Sequence, residues 1–247
     1  MPSGQKKTDD SRSKANDVVS TRKQDFLCTT LLDSETDIEA IKHFSVGQQS
    51  GKGLENYLKN AAIADERASF ARTYLVKAKR TNEIAAFFTL RNGLFTLELA
   101  NDYFYTVPAV EFSNFAVNAA FRSLHPVIEE IGSTVLSDFV LPISDFIRSF
   151  SGVKALYIYA LPEKRLIEHY KKLGFRRLAP EKEKYVHQHV KPKYDDGCIF
   201  MYQMLGVRAS VVEVQILKEN LHFFIFSLSR FERVCVYTCL CQILGGN

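Results

Sequence analysis

The chain is short of the signatures that assign function at a glance. No P-loop, no Gly-x-Gly-x-x-Gly fingerprint and no Gly-x-Ser-x-Gly elbow occurs in its 247 residues, which excludes the commonest phosphate-cradling and nucleophile-presenting turns. Cysteine is sparse. Cys28, Cys198, Cys235, Cys239 and Cys241 are odd in number and unevenly spaced, so neither a disulfide framework nor a four-ligand zinc site follows. No basic segment leading into an apolar run opens the chain, and together with the thiols this points to a reducing, cytoplasmic home. No segment repeats at a fixed period. Nor is there an uninterrupted apolar stretch of the roughly 20 residues that span a bilayer. The most apolar region, Leu221 to Leu244, carries Arg230, Glu232 and Arg233 near its middle, at roughly 2.5 to 3.5 kcal/mol for each charge near a bilayer centre. No membrane partner is expected.

What is present is enough apolar content, 46%, to bury a substantial core in one mixed domain with extra segments. Residues 1–25 hold almost no bulky apolar groups and read as a disordered tail. From Phe26 the pattern becomes structured. DFLCTTLL reads as a strand, and SETDIEAIKHF reads as a helix capped by Ser34. A second amphipathic helix is expected from about Gly53 to Ser69, with Leu54, Tyr57, Leu58, Ala61 and Ala62 on one side. RTYLVKAKRTNEIAAFFTL gives a hairpin turning at Thr81 and Asn82. PAVEFSNFAVN, residues 108–118, reads as a central strand. A helix follows over residues 132–150 with a stripe of Val135, Phe139, Ile143, Phe146 and Phe150 and a kink at Pro142. VKALYIYALP then supplies a buried strand leading into a helix at Pro162. After Phe175 come a short strand, the charged stretch EKEKYVHQHVKPKYDDG and a last strand in CIFMYQML. Charge is uneven along the chain: residues 154–193 hold eleven Lys and Arg against four acidic residues, which places a positive field on that half.

The most telling stretch is LIEHYKKLGF, Leu166 to Phe175. It is a helix carrying Tyr170, stopped by Gly174 and thrown into a strand. Strand, turn, helix with a tyrosine, glycine stop and strand again resembles the C-terminal half of the GNAT acetyltransferase superfamily. Upstream, Phe44, Leu54, Tyr57, Leu58, Arg72, Thr73, Tyr74 and Leu90 match in order and type a phrase of the bacterial toxin-like subgroup. The resemblance implies an α/β GNAT fold over residues 26–205: a mixed central sheet, central strands that splay after Glu111 and Tyr159, and flanking helices.

It also implies acetyl-CoA as co-substrate and assigns roles. Tyr170 would face the thioester and protonate the departing thiolate. Glu111 stands five residues before Ala116, the spacing at which one branch carries its general base, with Ser113 and Asn114 as alternates for orienting a water. The backbone of Asn114, Phe115, Ala116 and Val117 would bind the pantetheine arm, and Gly132, Ser133 and Thr134, at a helix start, would meet the pyrophosphate. The phosphate loop departs from the family pattern: Glu130 replaces its earlier glycine and Val127 its basic residue, so Glu129 and Glu130 must point away, with Arg122 and His125 near enough to compensate. His169 reads as a surface neighbour of Tyr170. His187 and His189 lack supporting ligands, and no metal is expected. The activity so implied is transfer of an acetyl group to a primary amine on a small molecule or a protein. One alternative acceptor is aminoacyl-tRNA, and a GNAT-fold binding module without catalysis is another reading. Residues 206–247 are too apolar for a solvated linker and are expected to pack on the domain or across a homodimer interface.

Overall fold

A computed structural model describes residues 25–98, 104–128, 130–189 and 197–206. The expectations for residues 1–25 and 206–247 fall, Asp25 and Gly206 apart, outside the described residues. No helix among the described residues is long and apolar enough to cross a membrane.

Seven strands form one sheet in the order β1-β2-β3-β4-β5-β7-β6. They are β1 Phe26–Thr30, β2 Arg72–Ala78, β3 Ile84–Glu98, β4 Phe104–Val117, β5 Ala155–Ala160, β6 Arg176–Arg177 and β7 Ile199–Met204. All neighbours run antiparallel except β4 and β5. The hairpin between β2 and β3 turns where the sequence placed it, with Asn82 in the left-handed region at φ 59°, a conformation that asparagine tolerates. Its second arm continues beyond Leu90 to Glu98 and pairs with β4 as far as Phe104.

The first helix, α1, runs Glu35–Ala40 and tightens into a 3-10 turn at Ile41–His43. Ser34 holds the N-cap position, but its hydroxyl pairs with Thr36 Oγ1 at 2.6 Å instead of capping the helix. The single helix expected from Gly53 is two, α2 Lys52–Asn60 and α3 Ala62–Arg67, broken at Ala61. Leu58 and Ala62 are nevertheless fully buried, together with Leu31, Ile41, Phe44, Leu75 and Phe87, in a core on one face of the sheet.

The larger core covers the other face. After α4, Ala119–Leu124, a continuous helix α5 is built from Ile131–Val135, a π turn at Leu136–Val140 and Leu141–Phe150. The π turn explains the tolerated Pro142. The Leu141 N–H reaches back to the Leu136 carbonyl, and the widened turn makes room for a ring that would otherwise strike the preceding turn. Val135 is buried and Phe139 and Ile143 are half-buried, but Phe146 and Phe150 are 65% and 78% exposed, so the expected apolar stripe is only partly used.

Helix α6, Lys164–Lys172, packs Ile167 and Tyr170 into this core and ends at Gly174, φ 95°. The charged stretch after Pro180 contains a helix that the sequence concealed, α7 Pro180–His189. It buries Val186 against Phe95, Tyr157 and Phe200, and Glu183 accepts the Phe200 N–H at 3.1 Å.

Candidate functional site

Two features of β4 open the sheet. Ser113 is an extra residue in the ladder: Thr89 pairs with Asn114 and Leu90 with Phe112, leaving Ser113 without a counterpart on β3. Such a bulge resets side-chain parity. Val110 and Phe112 point into the larger core before it, Phe115 and Val117 pack there after it, and Ala116 turns to the opposite core. Secondly, β4 and β5 pair only at Ala109–Ala155, Val110–Leu156 and Glu111–Tyr157. Beyond these, β4 stays with β3 to Val117 and β5 with β7 to Ala160, so the central strands diverge. The last pair is Glu111–Tyr157, two residues earlier on β5 than the Tyr159 expected from the sequence.

A cleft of about 810 Å³ fills the gap, within the roughly 300 to 1,000 Å³ usual for small-molecule sites. One wall is β4 from Ser113 to Val117, and the other is Ile158 to Leu161 with Tyr170 of α6. Glu111 and Arg91 lie at its floor, and Tyr57 and Asp65 come from α2 and α3. Four of the seven anticipated cofactor-binding residues, Asn114 to Val117, thus share one cavity with both anticipated catalytic residues. Gly132, Ser133 and Thr134 are not in its lining. They begin α5 on the far side of Phe115, whose ring edge would be 3.6 Å from a Cβ placed on Gly132.

The floor is a compact polar cluster. Glu111 is only 7% exposed and accepts a hydrogen bond from the Tyr157 hydroxyl at 3.1 Å. Arg91, its cross-strand neighbour, donates to Asp65 Oδ2 at 3.1 Å, and Tyr57 donates to the same oxygen at 3.2 Å. Burial disfavours the Arg91 cation, but the Glu111 carboxylate, with Tyr57 and Asp65, more than offsets this and holds the guanidinium charged. Burial, reinforced by the Glu111 charge, pushes the Tyr159 phenol upward. Burial alone pushes Tyr170 well above the ordinary tyrosine value, so Tyr170 keeps its proton through the neutral range.

Of the supporting residues, Ser113 donates to the Thr89 carbonyl and Asn114 to Ser113 Oγ, both at 3.4 Å. Arg122 lines the opposite end of the cleft, whereas His125 is turned to Glu83 at 3.0 Å and lies on the Phe121 ring. His169 is half-buried rather than a surface residue: burial lowers its pKa, and its Nε2 would be 3.6 Å from a Gly132 Cβ. The exposed Glu130 caps α5 in the left-handed region, φ 56°. His187 faces Glu183 at 3.8 Å and His189 the Tyr185 carbonyl at 2.8 Å. Sequence reasoning missed Tyr57, Asp65 and Arg91 as site residues, although two of them lie in or beside the phrase that carried the resemblance.

The fold is that of the GNAT acetyltransferases. A Tyr→Phe mutant of the AtaT toxin, bound to the C-terminus of the antitoxin AtaR and acetyl-CoA, superposes with a TM-score of 0.53 at 18% identity, over 73% of this chain and 93% of that one. A Tyr→Phe mutant of KacT gives 0.53 at 16% identity, covering 73% and 95%. AtaT complexed with acetyl-methionyl-tRNAfMet gives 0.51 at 15%, covering 78% and 99%. No protein-family model and no curated protein sequence matches the chain.

Proposed function

We propose that this chain is an N-acetyltransferase that moves the acetyl group of acetyl-CoA to a primary amine by direct attack in a ternary complex. The observation that carries the reading is the divergence of β4 and β5, which puts an unpaired strand edge, a buried carboxylate and a buried tyrosine around one cleft. The pantetheine arm lies along the backbone of Asn114, Phe115, Ala116 and Val117, and the amine enters beside Glu111. Glu111 accepts the ammonium proton through a water, the free amine attacks the thioester carbonyl, and the tetrahedral intermediate expels the thiolate as Tyr170 supplies its proton, the surplus proton on the nitrogen leaving through solvent to restore the Tyr170 phenol. Holding amine and thioester together supplies much of the rate, with the two side chains adding proton transfer. The acyl chemistry belongs to the cofactor. We place the pyrophosphate on the backbone of Gly132, Ser133 and Thr134, which requires the cofactor to bend past Phe115.

A second reading of the acceptor is aminoacyl-tRNA. It is supported by a run of exposed cations around the Tyr170 helix, Lys164, Arg165, Lys171, Lys172, Arg176 and Arg177, and by the likeness to AtaT complexed with acetyl-methionyl-tRNAfMet. Such a run is the electrostatic footprint that a phosphate backbone needs. The test is transfer of radiolabelled acetyl from acetyl-CoA to a panel of polyamines, a lysine-containing peptide and aminoacyl-tRNA. Label appearing on one class, with equimolar coenzyme A released, supports the reading and names the acceptor. A chain that binds acetyl-CoA yet labels none of them, and releases no coenzyme A, is a binding module.

A further inference from the structure

A glycine in the middle of a long strand costs about 0.5 to 1 kcal/mol relative to alanine and calls for a reason. Gly93 stands in mid-β3, paired with Ala109 of β4. A Cβ on Gly93 would lie 2.3 Å from the Tyr157 hydroxyl oxygen and 2.9 Å from its Cε1. The Tyr157 side chain therefore leaves β5, crosses β4 above the small Ala109 and ends over β3, in space that only glycine leaves open. There its hydroxyl donates to Glu111 Oε2 at 3.1 Å. The ring is fixed by Phe95 at 5.9 Å, Phe200 at 5.6 Å and Tyr159 at 6.0 Å between centroids, and the residue is only 5% exposed. Side chains held this way aim a hydroxyl without the entropy loss that a free rotamer would suffer on binding.

We infer that Tyr157 is the positioning residue of the acetyl-transfer site, holding one oxygen of Glu111 so that the other faces the incoming amine, and that Gly93 is required because it leaves room for that hydroxyl. The inference rests on the proposed acetyl transfer. A hydrogen bond donated to a carboxylate is directional and, when both partners are buried, not replaced by water. Tyr157 is placed against neither thioester nor amine and acts through Glu111. The other groups around the carboxylate, Arg91 and Asp65 at the cleft floor, Tyr57 and Tyr159, stay in place when the Tyr157 hydroxyl is removed, because the ring contacts that seat Tyr157 are kept by phenylalanine.

The test is a double-mutant cycle on the full chain, using the acceptor that the panel above labels best. Tyr157→Phe lowers kcat roughly 10- to 100-fold, the range set by one hydrogen bond to a charged group, with acetyl-CoA affinity in calorimetry unchanged and a native circular dichroism spectrum. In a Glu111→Gln background the same change costs less than about twofold, because the side chain that Tyr157 orients no longer takes the proton. Gly93→Ala reproduces the kcat loss by pushing the hydroxyl aside and serves as the check should Tyr157→Phe fold poorly. Wild-type turnover for Tyr157→Phe, or a loss of equal size with and without Glu111, overturns the inference while leaving acetyl transfer intact. Absence of transfer by the wild type overturns the reading on which it rests.

Discussion

Tyr170 reaches the cavity from one wall and Glu111 lies at its floor. Burial pushes the Tyr170 phenol up, so it holds its proton at neutral pH. Glu111 sits beside Arg91 on the neighbouring strand and accepts a hydrogen bond from the Tyr157 hydroxyl. Tyr170→Phe should leave the fold and acetyl-CoA affinity unchanged and lower turnover roughly 100- to 10,000-fold, the span of one acid–base group. Turnover within twofold of wild type would remove Tyr170 from the reaction. Glu111→Gln keeps the shape and removes the proton acceptor, so steady-state assays should show a fall in kcat within the same range, whereas an unchanged kcat would leave the amine to lose its proton directly to solvent.

At the scale of elements, the bulge at Ser113 and the early parting of β4 from β5 create the site, and the start of α5 is its most exacting test. Gly132 has room for a side chain, with the nearest atoms of His169 and Phe115 at 3.6 Å, so Gly132→Asp should fold. Its added charge should nevertheless abolish coenzyme A binding in calorimetry while circular dichroism stays native. Equal affinity would move the pyrophosphate elsewhere, with Arg122 at the cleft's end as the first place to look. The helix carrying Tyr170 and its Gly174 stop were legible in the sequence because local periodicity and a left-handed terminator specify them. So was the turn at Asn82. The bulge was not, because it exists only in the register of β4 against β3. Helix α7 was hidden by its charge: Glu183 reads as a solvated residue but is buried, pairing with Arg177 at 2.8 Å and accepting the Phe200 N–H. The β3 extension was hidden by Gly93, which locally reads as a strand end. The polar floor of the cleft joins Tyr57, Asp65, Arg91 and Glu111 from two helices and two strands, a grouping that only the tertiary fold makes.

For the whole molecule, the open question of surface is the C-terminal end of α5. Phe146 and Phe150 form an exposed edge-on pair, ring centroids 4.9 Å apart, and Gly206 lies against Arg148 of the same helix. The expectation that the apolar segment 207–247 packs on the domain or across a dimer interface concerns residues outside the described ones, and truncation tests it. A chain ending at Leu205 should lose stability or change mass state in light scattering. A truncated chain as stable, as soluble and of the same mass state as the full one would sink this idea without touching the site. The central claim, that the cleft between β4 and β5 holds acetyl-CoA, is tested most directly by melting the full chain with and without that ligand. A ligand that binds only the folded state adds stability in proportion to its saturation, about 2.7 kcal/mol at 100 times Kd. The account predicts a melting temperature that climbs with acetyl-CoA concentration in the wild type and stays flat in Gly132→Asp. A wild-type melting temperature that does not move at millimolar acetyl-CoA would contradict it.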